Sequence, residues 1–573
     1  MFSSLLNSLQ VREFLAWVSS IPLLGRLINR IATNTIASAT KPRPRPYSLW
    51  WPANSLDARS APDQTNGPIT DYASWPSLTD RSFSARHLDP APEAFISQLP
   101  PDAPYDRKTG SAGAITSLFA RPRDSSGQSL MTPDRSSVLF MFFAQWFTDS
   151  ILRIDPKDRR RNTSNHDVDL CQIYGLNEQE TRCLRSGKHG HLRSQHINGQ
   201  EFPDYLGERD GDGQWQVKSI YQCGIDSEGN PIPGRGLYPH GSTEWVRQSL
   251  KGSFGGMLPD AEVELRLDKM YATGLERGNS SVGYVALSLV FLREHNRICD
   301  ELFRQNPSWQ DEQLFQTARM INICLLLKLT VEDYINHIAG QRIFRLDPTF
   351  AEQQNWYRAN WIALEFDLLY RWHGLVPDSL TVNKETVPAN EYRWNNGLLE
   401  NLGISGLINA AAAQAAGRIS LFNNPVFLME SEYRTIQMGR DFRLRSFNDY
   451  REAFGLSRLT SFQALTRDTE IAGRLQSLYG SIENLELVVG LFAEAPGEGG
   501  LFGELMRTMV AYDAFTQIYT NPLLSRSIHT AKHLTTYGLK LIDETNTITK
   551  LVSRNLGKDE VVNANLGIVS ARA

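Results

Sequence analysis

From residue 136 onward the sequence is written in long helical periods. SSVLFMFFAQWFTDSILRI, SVGYVALSLVFLREHNRICDELF, LFQTARMINICLLLKLTVEDYINHIA and ALEFDLLYRWHGLVPDSL repeat apolar residues at helical spacing, and strand-like alternation is scarce. Further helices are predicted at 405 to 417, 447 to 454, 467 to 478 and 501 to 518, with a glycine-rich break, APGEGG, at 495 to 500. No internal repeat and no obvious cut point interrupts this body. The expected fold is therefore mainly α, with one large helical domain over residues 111–573.

The first 36 residues differ in kind. Leu6, Leu9, Phe14, Trp17, Val18, Ile21, Leu24, Leu27 and Ile28 recur at near-helical spacing, Arg12, Arg26 and Arg30 are the cations, and Pro22 breaks the run. Such an amphipathic segment either enters a membrane interface or docks on the protein's own core. Residues 1–40 are thus expected as an amphipathic helical membrane-binding segment. KPRPRPYSLWW at 41–51 opens an extended, irregular connector over 41–110.

Composition narrows the function. With 59 basic and 63 acidic residues and a net charge of -4, nothing calls for nucleic acid. Five cysteines, without a CxxC pair, indicate neither a disulfide framework nor zinc, and fit a reducing compartment. No uninterrupted apolar run is long enough to span a membrane, and no signal-peptide cleavage pattern is evident, so peripheral association on the cytoplasmic side is expected.

Two constellations carry chemistry. Tyr370 and His373 stand three residues apart, which on a helix makes them neighbours and turns Trp372 away. On these letters alone the commoner outcome is a buried, hydrogen-bonded pair, with a metal or haem ligand as the alternative. Gln145 and Asp149, at i and i+4 in FAQWFTD, share one face of an apolar helix. The charged residues of LREHNRICDEL must pair with one another or with a cofactor.

In order along the chain, FAQWFTD, HDVDLCQIYG, LREHNRICDEL, PSWQDEQLFQTARM, VEDYINHIAG, ALEFDLLYRWHGLVPDS, SFNDYREAFGL, LYGSIENLELVVGLFAEAP and LFGELM make the chain resemble the peroxidase-cyclooxygenase superfamily of animal-type haem peroxidases. Within it the closest likeness is to cyclooxygenases and to fungal and bacterial haem fatty-acid dioxygenases. The resemblance implies non-covalent haem b, with His373 as proximal iron ligand and Trp372 beside it. It implies a tyrosyl radical at Tyr370, hydrogen-bonded by Tyr334. An unsaturated fatty acid of the oleate, linoleate or arachidonate class would take up dioxygen and leave as a hydroperoxide.

Departures from the family pattern matter as much. Asp149 stands where the distal histidine is normal, Gln145 is kept, and a carboxylate of pKa about 3.9 is a poor proton acceptor unless burial raises that value. Arg277, in TGLERGN, is placed either to stabilise a leaving hydroxide or as an ordinary surface arginine. Thr148 replaces the acid that esterifies haem in mammalian peroxidases. At the substrate end the resemblance puts Arg30, with Arg26 in reserve, on the fatty-acid carboxylate, Gln341 in place of an assisting tyrosine, and Ala514 in place of a serine. A membrane surface is the implied partner, and a homodimer is one arrangement the resemblance allows. The alternatives are a haem peroxidase oxidising small donors and a non-catalytic haem-binding protein.

Overall fold

The computed structural model describes residues 21–38, 84–155, 157–497, 500–558 and 560–568. Helix α1 (Pro22–Ala37) opens the described chain, and α2 (Val138–Thr148), α3 (Val282–Gln305), α4 (Asp311–Leu329), α5 (Leu364–Leu369), α6 (Asn396–Ala413), α7 (Met429–Asp441) and α8 (Glu504–Tyr519) frame the site. The described residues are mainly helical, and their strands form two-stranded antiparallel pairs. One such pair, β1 (Pro133–Ser137) on β2 (Ala415–Gly417), brackets α2 and α6.

Helix α2 is central because it is apolar around its whole circumference. Val138 through Phe147 are buried on every side except at Gln145, which is the signature of a helix enclosed by others. The Ser137 hydroxyl caps its start by accepting from the Phe140 amide at 3.3 Å. Trp146 stacks on Phe291 of α3 at 4.8 Å, and its indole N–H donates to Ser288 at 2.9 Å. Gly283 allows this approach, since a Cβ there would sit 2.1 Å from the Phe142 ring.

Several helix boundaries differ from the periodicity. The helix expected from 136 to 154 ends at Thr148, and the one expected over 405–417 ends at Ala413, because 415–417 pair with β1. Helix α4 runs into a π-helical turn, Thr330–Ile335, before a last turn, Asn336–Ala339. The stretch Asp311–Ala339 is the one helix among the described residues long and apolar enough to cross a membrane, and 83% of its apolar window is buried in the protein. It is a core helix.

Of the N-terminal segment, Leu6, Leu9, Arg12, Phe14, Trp17 and Val18 lie outside the described residues, as does 41–83. Helix α1 packs on α8, where buried Asn29 exchanges hydrogen bonds with the Arg345 backbone at 2.9 and 3.1 Å and Trp356 donates to Asn34 at 2.8 Å. Its other face leaves Leu24, Leu27 and Ile31 about half exposed.

Candidate functional site

The segment that carries Tyr370 and His373 is not one helix. Helix α5 stops at Leu369, Trp372 leaves the helical region (φ -79°, ψ 51°), and His373–Leu375 form a single 3-10 turn. The expected shared helical face is corrected accordingly. The cause lies elsewhere in the chain: the turn is pressed on β2 so closely that a Cβ at Gly374 would lie 2.4 Å from the Arg418 carbonyl oxygen, and one at Gly417 2.1 Å from that of Gly374. Buried Arg121 then ties both sides together, donating to Asp378 at 2.6 Å and to the carbonyls of Val376 and Asn423 at 3.0 and 2.7 Å. Trp372, expected to turn away, instead stacks on Tyr370 at 4.6 Å and packs on Phe502 at 4.8 Å.

His373 has a partner that sequence reasoning missed. Its Nδ1 lies 2.7 Å from a carboxylate oxygen of Glu432 on α7, a fully buried residue, and the Asn424 amide donates to the same oxygen at 2.8 Å. One signal was available. Glu432 is an acid on the apolar stripe of α7, in register with buried Met429 and Ile436.

His373, Tyr370, Trp372 and Arg371 line one side of a cavity of about 410 Å³, and Gln145, Asp149 and Arg277 line another. Gln145 and Asp149 thus face one space, as their spacing predicted. Arg277 pairs with Asp149 at 3.2 Å and lines this cavity with a side chain that is 42% accessible. Burial pushes the Asp149 carboxyl up to about 6, against the opposing pull of Arg277. The other carboxylate oxygen of Asp149 is buried beside the Tyr284 hydroxyl, whose hydrogen-bonding pull works, like that of Arg277, against the effect of burial.

The donor set fits haem. Glu432 takes Nδ1 of His373, so Nε2 is the ring nitrogen left to a ligand in the cavity, an arrangement typical of metal-binding histidines. The volume lies in the range of small-molecule and cofactor sites. Arg371, although paired with Asp367 at 2.6 Å, keeps its buried Nε unpartnered beside the cavity. Glu294 and Arg297 of α3 pair within the protein, Glu294 being shared by Arg297 and Arg554, each at 2.8 Å.

The remaining expected residues are placed less simply. Burial, with the charge of Asp513 added, raises the Tyr370 phenol well above its ordinary range, so it stays protonated. Tyr334, in the π-helical turn, is buried, and its hydroxyl has no partner, so the expected hydrogen bond to Tyr370 is not made. Arg26 and Arg30 both pair with buried Asp347, at 2.9 and 2.5 Å. These ion pairs help dock α1, while the two arginine side chains stay 62% and 41% accessible. Gln341, with a buried unpartnered carbonyl oxygen, and buried Ala514 on α8 lie outside the lining of the haem-sized cavity.

Comparison with known proteins accords with this arrangement. The profile of the animal haem peroxidases matches residues 248–566. Prostaglandin G/H synthase 1 of Mus musculus is 31% identical over 461 residues, 79% of this chain and 68% of its own. Prostaglandin G/H synthase 2 of Gallus gallus is 30% identical over 492 residues, 85% of this chain and 72% of its own. Among solved structures, the fatty acid alpha-dioxygenase of Oryza sativa superposes with a TM-score of 0.64 at 14% identity, covering 96% of this chain and 93% of its own. Peroxidase A of Dictyostelium discoideum gives 0.58 at 18% identity, covering 80% and 90%. The chain belongs to the animal haem peroxidase family, with a mainly helical, cyclooxygenase-like fold.

Proposed function

We propose that this protein is a haem-dependent fatty-acid dioxygenase in which Tyr370 carries the radical. The observation that carries the reading is that Tyr370 and His373 line the same cavity as Gln145 and Asp149, with the phenol packed between Phe366 at 4.5 Å and Trp372. The names of the relatives, prostaglandin synthases and fatty acid alpha-dioxygenases, agree with it. Nε2 of His373 would hold haem, which would supply the oxidising power.

The chain's residues do the rest. Gln145 offers an amide donor on the distal side, and Asp149 holds or releases a proton there near pH 6. A phenol kept neutral by burial gives up a hydrogen atom more readily than a proton. The Tyr370 radical takes hydrogen from an allylic or bis-allylic carbon, restoring its O–H bond, and dioxygen adds to the carbon radical. The resulting peroxyl radical takes the hydrogen back from Tyr370 and leaves as the hydroperoxide. One fatty acid and one dioxygen are thus consumed per hydroperoxide. Oxygen uptake with oleate, linoleate and arachidonate, with product mass spectrometry, tests this directly. Tyr370→Phe is expected to bind haem normally and to lose oxygen uptake, and retained uptake overturns the assignment.

A second reading, a peroxidase of small donors, is favoured by the raised Asp149 carboxyl, which brings a proton-transfer group close to working pH. The same assay run with peroxide and a phenolic donor separates the two. The exposed Leu24, Leu27 and Ile31 of α1 further support peripheral membrane association. Replacing all three by serine is expected to weaken sedimentation with liposomes.

A further inference from the structure

We propose that Glu432 is a positioning residue that makes His373 a strong electron donor to iron, so that the proximal side carries a larger share of peroxide activation than Asp149 does. The proposal rests on the reading of His373 as haem ligand. Four observations point to it. Glu432 is fully buried, its carboxylate oxygen lies 2.7 Å from Nδ1, Asn424 donates to the same oxygen at 2.8 Å, and its second oxygen is buried without a partner.

With Glu432 ionised the carboxylate only accepts, so Nδ1 donates and Nε2 is left as the lone-pair nitrogen of a histidine that lines the cavity. A carboxylate acceptor raises ligand basicity more than a backbone carbonyl or an amide, since the hydrogen bond is charge-assisted and shielded from water. Asn424 fixes which oxygen is used, and Arg121 fixes the backbone on either side through Gly374 and Asn423. On the opposite side of the cavity Asp149 is bound to Arg277 and lacks the imidazole that would both take and return a proton. The burden of activating peroxide therefore moves toward the donor strength of His373.

The test is spectroscopic as well as functional, on haem-loaded protein. Wild type is expected to show a ferrous iron–imidazole stretch by resonance Raman in the high range of histidines bonded to carboxylate, and a low ferric/ferrous midpoint potential. Glu432→Gln is expected to retain haem, lower that stretch and move the potential upward, and Glu432→Asp is expected to return both part of the way. Peroxide consumption by Glu432→Gln should fall at least tenfold. An unchanged stretch and potential in Glu432→Gln overturn the proposal. If that variant does not fold, a wild-type stretch in the range of neutrally bonded histidines overturns it equally. Failure of the underlying reading looks different: His373→Ala would then leave the haem spectrum of the protein unaltered.

Discussion

The two sides of the cavity are built to different standards. On the proximal side His373 is backed by buried Glu432 at 2.7 Å, Glu432 by buried Asn424 at 2.8 Å, and the adjoining backbone by buried Arg121 at 2.7–3.0 Å. On the distal side Gln145 is open to the cavity, and Asp149 is held by Arg277 at 3.2 Å with its other oxygen buried beside the Tyr284 hydroxyl. The proximal histidine is held through a chain of short buried bonds, although that side too keeps unpartnered buried atoms, the second Glu432 oxygen, Arg371 Nε and Trp372 Nε1. An unpaired buried polar atom costs about 1–3 kcal/mol, and such costs persist where a site needs the group for chemistry or for an absent ligand.

The largest effect that would break this contrast is expected at His373. His373→Ala should abolish or strongly shift the Soret band of reconstituted protein, while Gln145→Leu should leave it in place, as read by absorbance titration with haem. Equal loss in both would make the two sides equivalent. Next comes Asp149→His, which restores a group able to accept and return a proton. Positioned acid–base groups supply about 10²–10⁴ in rate, so donor peroxidation should rise by about 100-fold and any lag before oxygen uptake should shorten. If wild type already turns over donors at that level, Asp149 is not limiting.

The pH dependence sharpens the same point. The Asp149 carboxyl is raised by burial from 3.8 to about 6, so between those values the folded state binds a proton that the unfolded state has released. Its contribution to stability is full below pH 4 and is lost as pH rises through about 6. Melting temperatures of wild type and Asp149→Asn, compared from pH 4 to 8, should therefore diverge in that window, with the wild type losing ground relative to the variant as pH rises. Peroxide consumption should show an inflection near pH 6 that Asp149→Asn lacks.

How much of this was legible in the sequence follows from distance along the chain. Helices α2 and α3 were readable because continuous apolar periods specify them locally. Gln145 and Asp149 were readable as one face for the same reason. The break after Leu369 was not, since it is imposed by the contact of Gly374 with β2, which lies more than forty residues away. Glu432 is 59 residues from His373, and Arg277 is 128 from Asp149. Spacing rules do not reach across such separations. Arg26 and Arg30 were read as carboxylate-binding cations, and the protein carboxylate they meet, Asp347, stands more than 300 residues away. The resemblance to known relatives supplied expected roles, and the structure supplies the partners that spacing could not.

The smallest expected effect concerns Tyr334, and it bears on whether Tyr370 is held as firmly as His373. The Tyr334 ring is fixed by stacking on Phe140 at 5.2 Å and by Phe143 at 5.2 Å, but its hydroxyl is buried with no acceptor. Removing a buried hydroxyl that makes no hydrogen bond withdraws no favourable contact and relieves a desolvation cost. Tyr334→Phe should therefore leave melting temperature unchanged or slightly raised, and oxygen uptake within about twofold, well inside the factor of ten that 1.4 kcal/mol represents. If oxygen uptake instead falls tenfold with melting temperature unchanged, the Tyr334 hydroxyl must reach the Tyr370 phenol in the working enzyme. The radical site would then be positioned from both rings, and the contrast would run between the two tyrosines and Asp149 alone.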